Sequence, residues 1–101
     1  MEPTVVEQNS DVGNWYVYMI KCGNGTLYTG ITTDIERRFA EHKKGGPRAA
    51  RYLKGRGPLA LVFQCHAASR QEALKLEYTI KKLPRAKKIL LVDNQGSGLN
   101  I

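Results

Sequence analysis

Residues 15–42, WYVYMIKCGNGTLYTGITTDIERRFAEH, contain the pattern from which the fold is deduced. Two runs in this stretch, WYVYMIKC and TLYTGITT, are rich in aromatic and β-branched residues, and the glycine-containing turn at 23–25 separates them. Such a pair predicts a β-hairpin. Because side chains alternate along a strand, Tyr18 should lie on one face of the first strand, with Val17 and Met19 on the other.

A helix is predicted directly after the hairpin, from about Asp34 to Lys44. Thr33 and Glu36 have the spacing of a capping box, in which the Thr33 hydroxyl accepts from the first-turn amides. Gly45 is expected to end the helix.

Two polar side chains lie on the arc of this helix that should be buried. At 100° per residue, Ile35 and Phe39 define an apolar arc, and Arg38 and His42 fall within it. An arginine and a histidine on the inward side of a helix are therefore candidates for a site.

The remainder of the chain predicts a third strand, LALVFQCH, and a helix, SRQEALKLEYTIKKL, capped by Ser69. Pro84 should open a last short helix, PRAKKILLV, by occupying its first turn. The buried stripe of the longer helix should consist of Ala73, Leu76, Ile80 and Leu83. Glu77 shares their azimuth, and a carboxylate there is costly unless it is paired, hydrogen-bonded or bound to a cation.

The chain of 101 residues is long enough for one small domain, and its 42% apolar and 25% charged residues are typical of a folded protein. We predict an α+β domain over residues 15–93, a three-stranded antiparallel sheet flanked by helices in the order β-β-α-β-α-α. Residues 1–14 and 94–101 should be flexible tails. No apolar run is long enough to span a membrane, and no secretory signal is evident, so we expect a cytoplasmic protein. Cys22 and Cys65 should be buried small hydrophobes.

The net charge of +7 indicates a polyanionic partner, nucleic acid before an anionic membrane. Three of the nine acidic residues precede residue 15, and no acidic residue lies between Lys43 and Arg70. This basic stretch is interpreted either as a solvated connection or as a flexible arm that neutralises phosphates. Tyr52 within it has the chemistry to stack on a base. The residues expected to bind nucleic acid are Lys43, Lys44, Arg48, Arg51, Lys54 and Arg56.

Five polar or phenolic side chains occupy core or semi-core positions: Tyr18, Tyr28, Arg38, His42 and Glu77. They are interpreted as a functional site. The alternative is purely structural, with two packed tyrosines, a partly buried ion pair between Arg38 and Glu77, and His42 completing the group.

The spacing of these residues resembles that of the GIY-YIG nuclease superfamily. Residues 16–18 (Tyr-Val-Tyr) and 28–30 (Tyr-Thr-Gly) are similar to the two motifs that name it. Arg38 and His42 are similar to the motif arginine and the following His or Tyr of the N-terminal nuclease domain of the UvrC repair protein, and Glu77 to the metal-binding glutamate. The likeness covers residues 15–92 and is closest to small stand-alone bacterial members.

Two positions differ from the family pattern. Ile31 replaces the lysine that follows the second motif in UvrC-type members, and no asparagine lies about a dozen residues after Glu77.

The resemblance implies a metal-dependent endonuclease that hydrolyses phosphodiester bonds in DNA, with a role in repair or processing of branched or damaged structures. One Mg²⁺ or Mn²⁺ would be held by Glu77, Arg38 would bind the phosphate, and either Tyr28 or Tyr18 would activate water. His42 would orient or relay a proton, or be only a satisfied helix histidine.

Gly30 would allow the phosphate or the facing helix to approach the strand closely. DNA is favoured over RNA, a protein partner for targeting is conceivable, no membrane partner is expected, and a monomer is expected. The main alternative is a non-catalytic nucleic-acid binding module that retains the fold. A third is a basic adaptor for an acidic protein or anionic membrane.

Overall fold

The computed structural model describes residues 12–94, which form an antiparallel sheet and three α-helices. The predicted α+β class and the element order β-β-α-β-α-α are confirmed. A short 3₁₀ helix, Arg51–Leu53, lies between the first helix and the last strand. The strands are β1 (Val12–Lys21), β2 (Leu27–Thr32) and β3 (Ala60–Ser69), and the helices are α1 (Ile35–Lys44), α2 (Arg70–Lys81) and α3 (Arg85–Asp93).

The strand order is β2-β1-β3, so β1 is central and pairs antiparallel with both neighbours. Tyr18 of β1 lies directly opposite Gly30 of β2 and Gln64 of β3. β1 begins at Val12, so residues 12–14 belong to the sheet and not to the predicted tail. The rest of the predicted N-terminal tail, and the C-terminal tail beyond Asn94, lie outside the described residues.

The sheet is covered on both faces, and the predicted alternation along β1 is confirmed. We call the face that carries Val17 and Met19 the apolar face; it packs with Phe63 of β3 and with Ala73 and Ile80 of α2. All five of these side chains are essentially fully buried. The other face, which we call the aromatic face, carries Tyr18, Ile20 and Cys22, which pack against Leu53, with Ile35 and Phe39 of α1 partly buried beside them.

The helix caps agree with the sequence prediction at α2 and differ at α1. Ser69 caps α2, because its hydroxyl accepts from the Glu72 N–H at 3.1 Å. The predicted cap Thr33 is wrong: Asp34 is the N-cap of α1, and its Oδ1 accepts from the Arg37 N–H at 3.0 Å. β2 extends through Thr32, whose hydroxyl accepts from the Asp34 N–H, so the cap moves one residue along.

Three smaller features concern the ends of elements and the cysteines. Gly45 ends α1 in the left-handed region with φ 76°, as predicted. The predicted position of Pro84 in the first turn of α3 is wrong by one residue, because Pro84 is the N-cap and the helix begins at Arg85. Both cysteines are free; Cys22 is buried as predicted, whereas Cys65 is only partly buried.

Among residues 12–94, no helix has both the length and the hydropathy that crossing a bilayer requires.

The basic loop, residues 43–58, is attached to the sheet at several points. Ala49 and Leu53 are buried, and the Gly23 N–H of the hairpin turn donates to the Arg56 carbonyl at 2.8 Å. The interpretation of this stretch as a flexible arm is therefore wrong for its backbone. The loop is a packed element that carries exposed cations.

Candidate active site

A buried tyrosine–histidine pair lies at the centre of the candidate site. The Tyr18 hydroxyl oxygen is 2.9 Å from Nε2 of His42, and both side chains are only 2% exposed. α1 positions His42, because Asp34 starts the helix and places the ring on its inward arc. β1 positions Tyr18 on the aromatic face. The two residues that pattern analysis singled out separately are thus in direct contact.

The hydrogen bonds of His42 identify which ring nitrogen carries the proton. Nδ1 lies 3.1 Å from the Ala50 backbone nitrogen and accepts its N–H. A neutral imidazole has one donor nitrogen and one acceptor nitrogen, so the proton is on Nε2. His42 therefore donates to the Tyr18 oxygen, and the Tyr18 hydroxyl hydrogen is left for another acceptor.

His42 remains neutral over the physiological range. Burial first, and then the charge of Arg38, lower the pKa of His42 to about 4, although Glu41 acts in the opposite direction. A neutral imidazole is the form that the Ala50 contact requires, since a protonated Nδ1 has no lone pair to accept with. The electrostatics and the hydrogen-bond geometry thus lead to the same protonation state.

The Tyr18 phenol is influenced by all four of its predicted partners. Burial first, and then Tyr28, raise the pKa of Tyr18 to about 12, and the charge of Glu77 acts in the same direction. The positive charge of Arg38 opposes them. The Nε2–H of His42 donates to the Tyr18 oxygen, and this hydrogen bond and the Arg38 charge both favour the ionised phenol.

The Tyr18 ring accounts for Gly30, a contact that the predicted approach of a phosphate or the facing helix does not include. A Cβ atom at position 30 would lie 2.5 Å from the Tyr18 hydroxyl oxygen and 2.7 Å from the adjoining ring carbon. Since Tyr18 lies opposite Gly30 on the neighbouring strand, the ring crosses directly over the glycine. The second motif therefore needs glycine so that the first motif's tyrosine fits.

Tyr28 extends the aromatic cluster toward the surface. Its ring meets His42 edge-on at a centroid distance of 5.8 Å and lies 6.3 Å from the Tyr18 ring. On its outer side it stacks with Tyr52 of the basic loop, 6.0 Å between centroids with 19° between the ring planes. Four rings thus run from the buried interior to the exposed loop: Tyr18, His42, Tyr28 and Tyr52.

Arg38 is held beside a cleft of about 360 Å³ that carries an excess of positive charge. Its Nη1 donates to Glu41 Oε1 at 2.9 Å and to the Arg48 carbonyl at 2.6 Å. Glu41 also accepts from Arg37, at 3.0 Å, so one carboxylate positions two guanidinium groups. Three arginines and one glutamate line this cleft: Arg37, Arg38, Arg48 and Glu41. The remaining lining residues are Trp15, Ile31, Thr32 and Thr33.

Glu77 lies apart from the other four predicted residues. It belongs to α2, which packs on the apolar face; its side chain is 18% exposed and pairs with Lys81 at 3.2 Å. The predicted structural alternative, an ion pair between Arg38 and Glu77, is wrong, because Arg38 pairs with Glu41 instead. Glu77 is linked to the cluster through the effect of its charge on Tyr18.

Within residues 12–94, no three His, Cys, Asp or Glu side chains come together as a metal cage. Any cation at Glu77 would therefore have at most two His, Cys, Asp or Glu ligands from the described residues, Glu77 included. Such a donor set suits a hard cation that keeps its waters and also binds a substrate phosphate.

Several residues of the site were not predicted. Glu41 carried a readable signal, because it stands three and four positions after Arg38 and Arg37 on a helix, the spacing of side-chain ion pairs. The Ala50 amide carried no such signal, because the type of side chain at a position does not show where its backbone N–H donates.

The six predicted nucleic-acid-binding cations are all exposed: Lys43, Lys44, Arg48, Arg51, Lys54 and Arg56.

Comparison with known proteins gives the same family as the motif spacing. The family model described as the GIY-YIG catalytic domain matches residues 14–89. A UPF0213 protein of Yersinia enterocolitica is 49% identical over 85 residues, covering 84% of this chain and 86% of the relative. One of Cronobacter sakazakii is 51% identical over 81 residues, covering 80% and 83%.

Two solved structures resemble the fold, both determined by solution NMR. A UPF0213 protein from Bacillus halodurans has 43% identity and a TM-score of 0.53, with 83% of this chain and 87% of that chain covered. A protein from E. faecalis has 32% identity and a TM-score of 0.57, with 83% and 88% covered. These matches agree with the paired tyrosines, the inward arginine and histidine, and the sheet topology. The chain therefore belongs to the GIY-YIG family, with the UPF0213 proteins among its relatives.

Proposed function

We propose that the protein is a metal-dependent endonuclease that hydrolyses phosphodiester bonds in DNA. The observation that carries the proposal is the position of Arg38 between the cleft and Tyr18. Its guanidinium lines the basic cleft and also acts on the Tyr18 phenol. A phosphate bound by Arg38 in the cleft would therefore lie close to the phenol oxygen.

Arg38 is the residue proposed to bind the scissile phosphate. Its hydrogen bonds to Glu41 and to the Arg48 carbonyl both use Nη1, whereas a guanidinium has five N–H donors. The remaining donors suit two phosphate oxygens, and the fixed charge would stabilise the additional negative charge of the transition state. Glu41 keeps the guanidinium in place while it does so.

Tyr18, and not Tyr28, is proposed to orient the attacking water. The Tyr18 oxygen accepts from His42 Nε2, and the Arg38 charge lowers the pKa of the phenol, so both favour an ionised phenol during the reaction. The Tyr18 phenol would first lose its proton to solvent. The water oxygen would then form a bond to phosphorus, the bond from phosphorus to the 3′ oxygen would break, and the water proton would pass to the phenolate oxygen. The 3′ oxygen would take a proton from solvent. Tyr28 would hold His42 in position through its edge-on ring contact.

His42 is a positioning residue in this scheme. Because its proton is on Nε2, it supports negative charge on the Tyr18 oxygen and does not compete for the phenol proton. Its low pKa keeps this arrangement constant across neutral pH.

Glu77 is the ligand proposed for Mg²⁺ or Mn²⁺, because it is a largely buried carboxylate and its charge raises the pKa of Tyr18. When bound, a divalent cation supplies Lewis-acid stabilisation of the leaving oxygen and positive charge that favours an ionised Tyr18. The Lys81 ammonium at 3.2 Å would release Glu77 for that role.

The basic loop is proposed to bind the phosphate backbone on both sides of the cleft. Its six exposed cations have no acidic neighbour within residues 43–70, so their field is uncompensated along the loop. We extend the proposal to a cytoplasmic monomer that acts in DNA repair or processing, with a protein partner that selects its targets.

A non-catalytic binding module is the second candidate, because two observations favour it. The pKa of Tyr18 is about 12, so the phenol is protonated in the free protein at neutral pH. Ile31 lines the cleft where UvrC-type members carry a lysine, so one cation is replaced by an apolar side chain.

Cleavage of labelled branched, nicked, single-stranded and duplex DNA and RNA, with and without Mn²⁺, tests the proposal. We expect Arg38→Ala to reduce the rate by about 100-fold or more, and Glu77→Ala to abolish the metal-dependent rate. Arg37→Ala is the comparison for the first variant and should reduce the rate much less, since Arg37 lines the same cleft and pairs with the same Glu41 but does not act on the Tyr18 phenol. Glu72→Ala, an exposed glutamate of the same helix paired with Lys75, controls the second.

Equal cutting by Arg38→Ala and Arg37→Ala would contradict the assignment of the phosphate site. Binding without cleavage by the unaltered protein, under every metal condition, would favour the binding module.

A further inference from the structure

The fold holds an exposed tyrosine in a fixed position next to the proposed active site. Tyr52 is 41% exposed, although the next residue, Leu53, is buried in the aromatic-face core. Its ring stacks with Tyr28, and the Arg56 guanidinium lies 4.4 Å from its centroid. Arg56 Nε also donates to the Tyr52 carbonyl at 2.6 Å. We call Tyr28, Tyr52 and Arg56 the Tyr52 stack.

This arrangement is not explained by packing or by the proposed cleavage chemistry. Tyr28 contacts His42, whereas the exposed Tyr52 stacks on Tyr28 and has the Arg56 guanidinium over its own ring. An aromatic ring and a guanidinium in a row present the two chemical groups on which nucleobases stack in proteins that bind single strands.

We propose that Tyr52 is a nucleobase-binding subsite and that Arg56 occupies, in the free protein, the position over the ring that the base takes. On binding, the base stacks on Tyr52 and the Arg56 guanidinium moves to a neighbouring phosphate. The guanidinium is planar and cationic, so it can cover an aromatic ring and bind a phosphate equally well.

The charge around the stack selects nucleic acid as its ligand. Arg51 and Lys54 flank Tyr52 in the chain, both are exposed, and no acidic residue lies between residues 43 and 70. The phosphates on either side of a stacked base would meet these cations.

The subsite defines a substrate class, and in this respect it rests on the proposed nuclease function. In an intact duplex both faces of each base are covered by neighbouring base pairs, so no base can stack on Tyr52. A nucleotide that is unpaired or splayed out, as in a flap, a gap, a branch point or a single strand, exposes its face. The protein should therefore prefer an unpaired nucleotide next to the phosphate held at Arg38.

Fluorescence of 2-aminopurine tests the subsite without requiring cleavage. The probes are a single-stranded DNA with 2-aminopurine at one position and the same strand in a duplex, each titrated with the full chain in EDTA. We expect the unaltered protein to quench the single-stranded probe, with little change for the duplex. Tyr52→Leu should remove the quenching and weaken single-strand binding by about 5- to 100-fold, whereas Tyr52→Phe should retain both.

Tyr78→Leu is the matched control. Tyr78 is 63% exposed on α2 and its ring lies 4.8 Å from the Lys82 ammonium, so it has the same pairing of tyrosine and cation away from the aromatic face. This variant should leave quenching unchanged. Circular dichroism and thermal unfolding of Tyr52→Leu show whether the fold is retained, and Tyr52→Phe tests the role of the ring if it is not.

The outcomes separate this inference from the proposed function. Quenching by Tyr52→Leu at the level of the unaltered protein, or equal quenching of single strand and duplex, would overturn the subsite even if the enzyme cleaves DNA. Tyr52-dependent quenching without cleavage under any metal would support the subsite and contradict the nuclease proposal. Failure to bind either probe in EDTA would overturn the subsite, whereas the cleavage assay with Mn²⁺ decides the nuclease proposal separately.

Discussion

The two faces of the sheet are both well packed, but by different kinds of side chain. On the apolar face, hydrocarbon packs on hydrocarbon, with Val17, Met19 and Phe63 against α2. On the aromatic face, the side chains that approach α1 include Tyr18 and Tyr28, which meet the His42 ring. Both faces bury their central side chains, but the buried hydrogen bond between two titratable side chains, Tyr18 and His42, lies on the aromatic face.

The difference shows how a domain of this size would combine stability with the proposed active site. Burial of apolar surface is nondirectional and tolerates variation in shape, whereas a buried polar group requires a partner at a defined distance. Tyr18 and Met19 are neighbours on one strand, and successive side chains of a strand point to opposite faces. Met19 therefore contributes apolar burial, whereas Tyr18 contributes a hydrogen-bonded polar group. Substitutions of adjacent residues should therefore have effects of different kinds.

The largest expected effects come from this pair of neighbours. Tyr18→Phe removes one hydroxyl that bonds His42, so it should lower the cleavage rate by about 10² to 10⁴-fold while costing only about 1 kcal/mol of unfolding free energy. Met19→Ala removes a fully buried side chain and should cost about 2–5 kcal/mol, with the cleavage rate nearly unchanged below its melting temperature. Urea denaturation and single-turnover cleavage measure the two quantities. A Tyr18→Phe protein that is active but strongly destabilised would reverse the assignment of the faces.

A pH titration of stability should distinguish the two histidines of the chain. The folded-state pKa of His42 is about 4, below its ordinary value of 6.5, so the unfolded chain takes up the proton first as the pH falls. The stability that His42 contributes is therefore present above pH 6.5 and is lost between 6.5 and 4, by up to about 3 kcal/mol. His42→Gln should flatten this part of the stability profile.

His66→Gln is the control for the titration, because His66 is exposed on β3 and only contacts the edge of Tyr16. Its profile should follow that of the unaltered protein. Parallel profiles for His42→Gln and His66→Gln would mean that the buried histidine does not resist protonation.

A glycine substitution should show how closely the aromatic face is packed. The Cβ of Gly30→Ala would overlap the Tyr18 hydroxyl, and the ring can move away only by giving up its bond to His42. We expect a loss of about 1–3 kcal/mol together with reduced cleavage. Gly46→Ala is the control, since no heavy atom lies within 4 Å of its new Cβ. Thermal unfolding of the two variants checks this difference, and equal stability would exclude close contact at Gly30.

Much of the fold and part of the site were predictable from local patterns. Alternation separated Tyr18 from Met19, and the helical repeat placed Arg38 and His42 on the inward arc of α1; both rest on periodicities of regular structure. The cap of α1 was misplaced by one residue, because hydroxyl and carboxylate caps compete at Thr33 and Asp34, and the length of β2 decides between them.

The unpredicted parts depend on contacts between distant segments. Nothing local in Gly30 indicates that the ring opposite it, twelve residues earlier, requires the space. The partner of Glu77 is an exception, because Lys81 stands four positions later on the same helix, which is the spacing of side-chain ion pairs. The attachment of the basic loop was missed because glycine, proline and cations dominate its composition, whereas buried Leu53 and the Ala50 amide hold it.

The smallest expected effect tests how the basic loop acts on the buried pair. Ala50 has φ −62°, which suits proline, so Ala50→Pro should remove the N–H that bonds His42 Nδ1 with little backbone strain. The loss should be about 1 kcal/mol of stability, and the proton should move from Nε2 to Nδ1, because Tyr18 then becomes the available donor. The ¹⁵N chemical shifts of the His42 ring report this change directly, and cleavage should fall with it. Ala50→Gly keeps the N–H and should keep the original tautomer; the same ring shifts in both variants would show that the loop does not set the proton position.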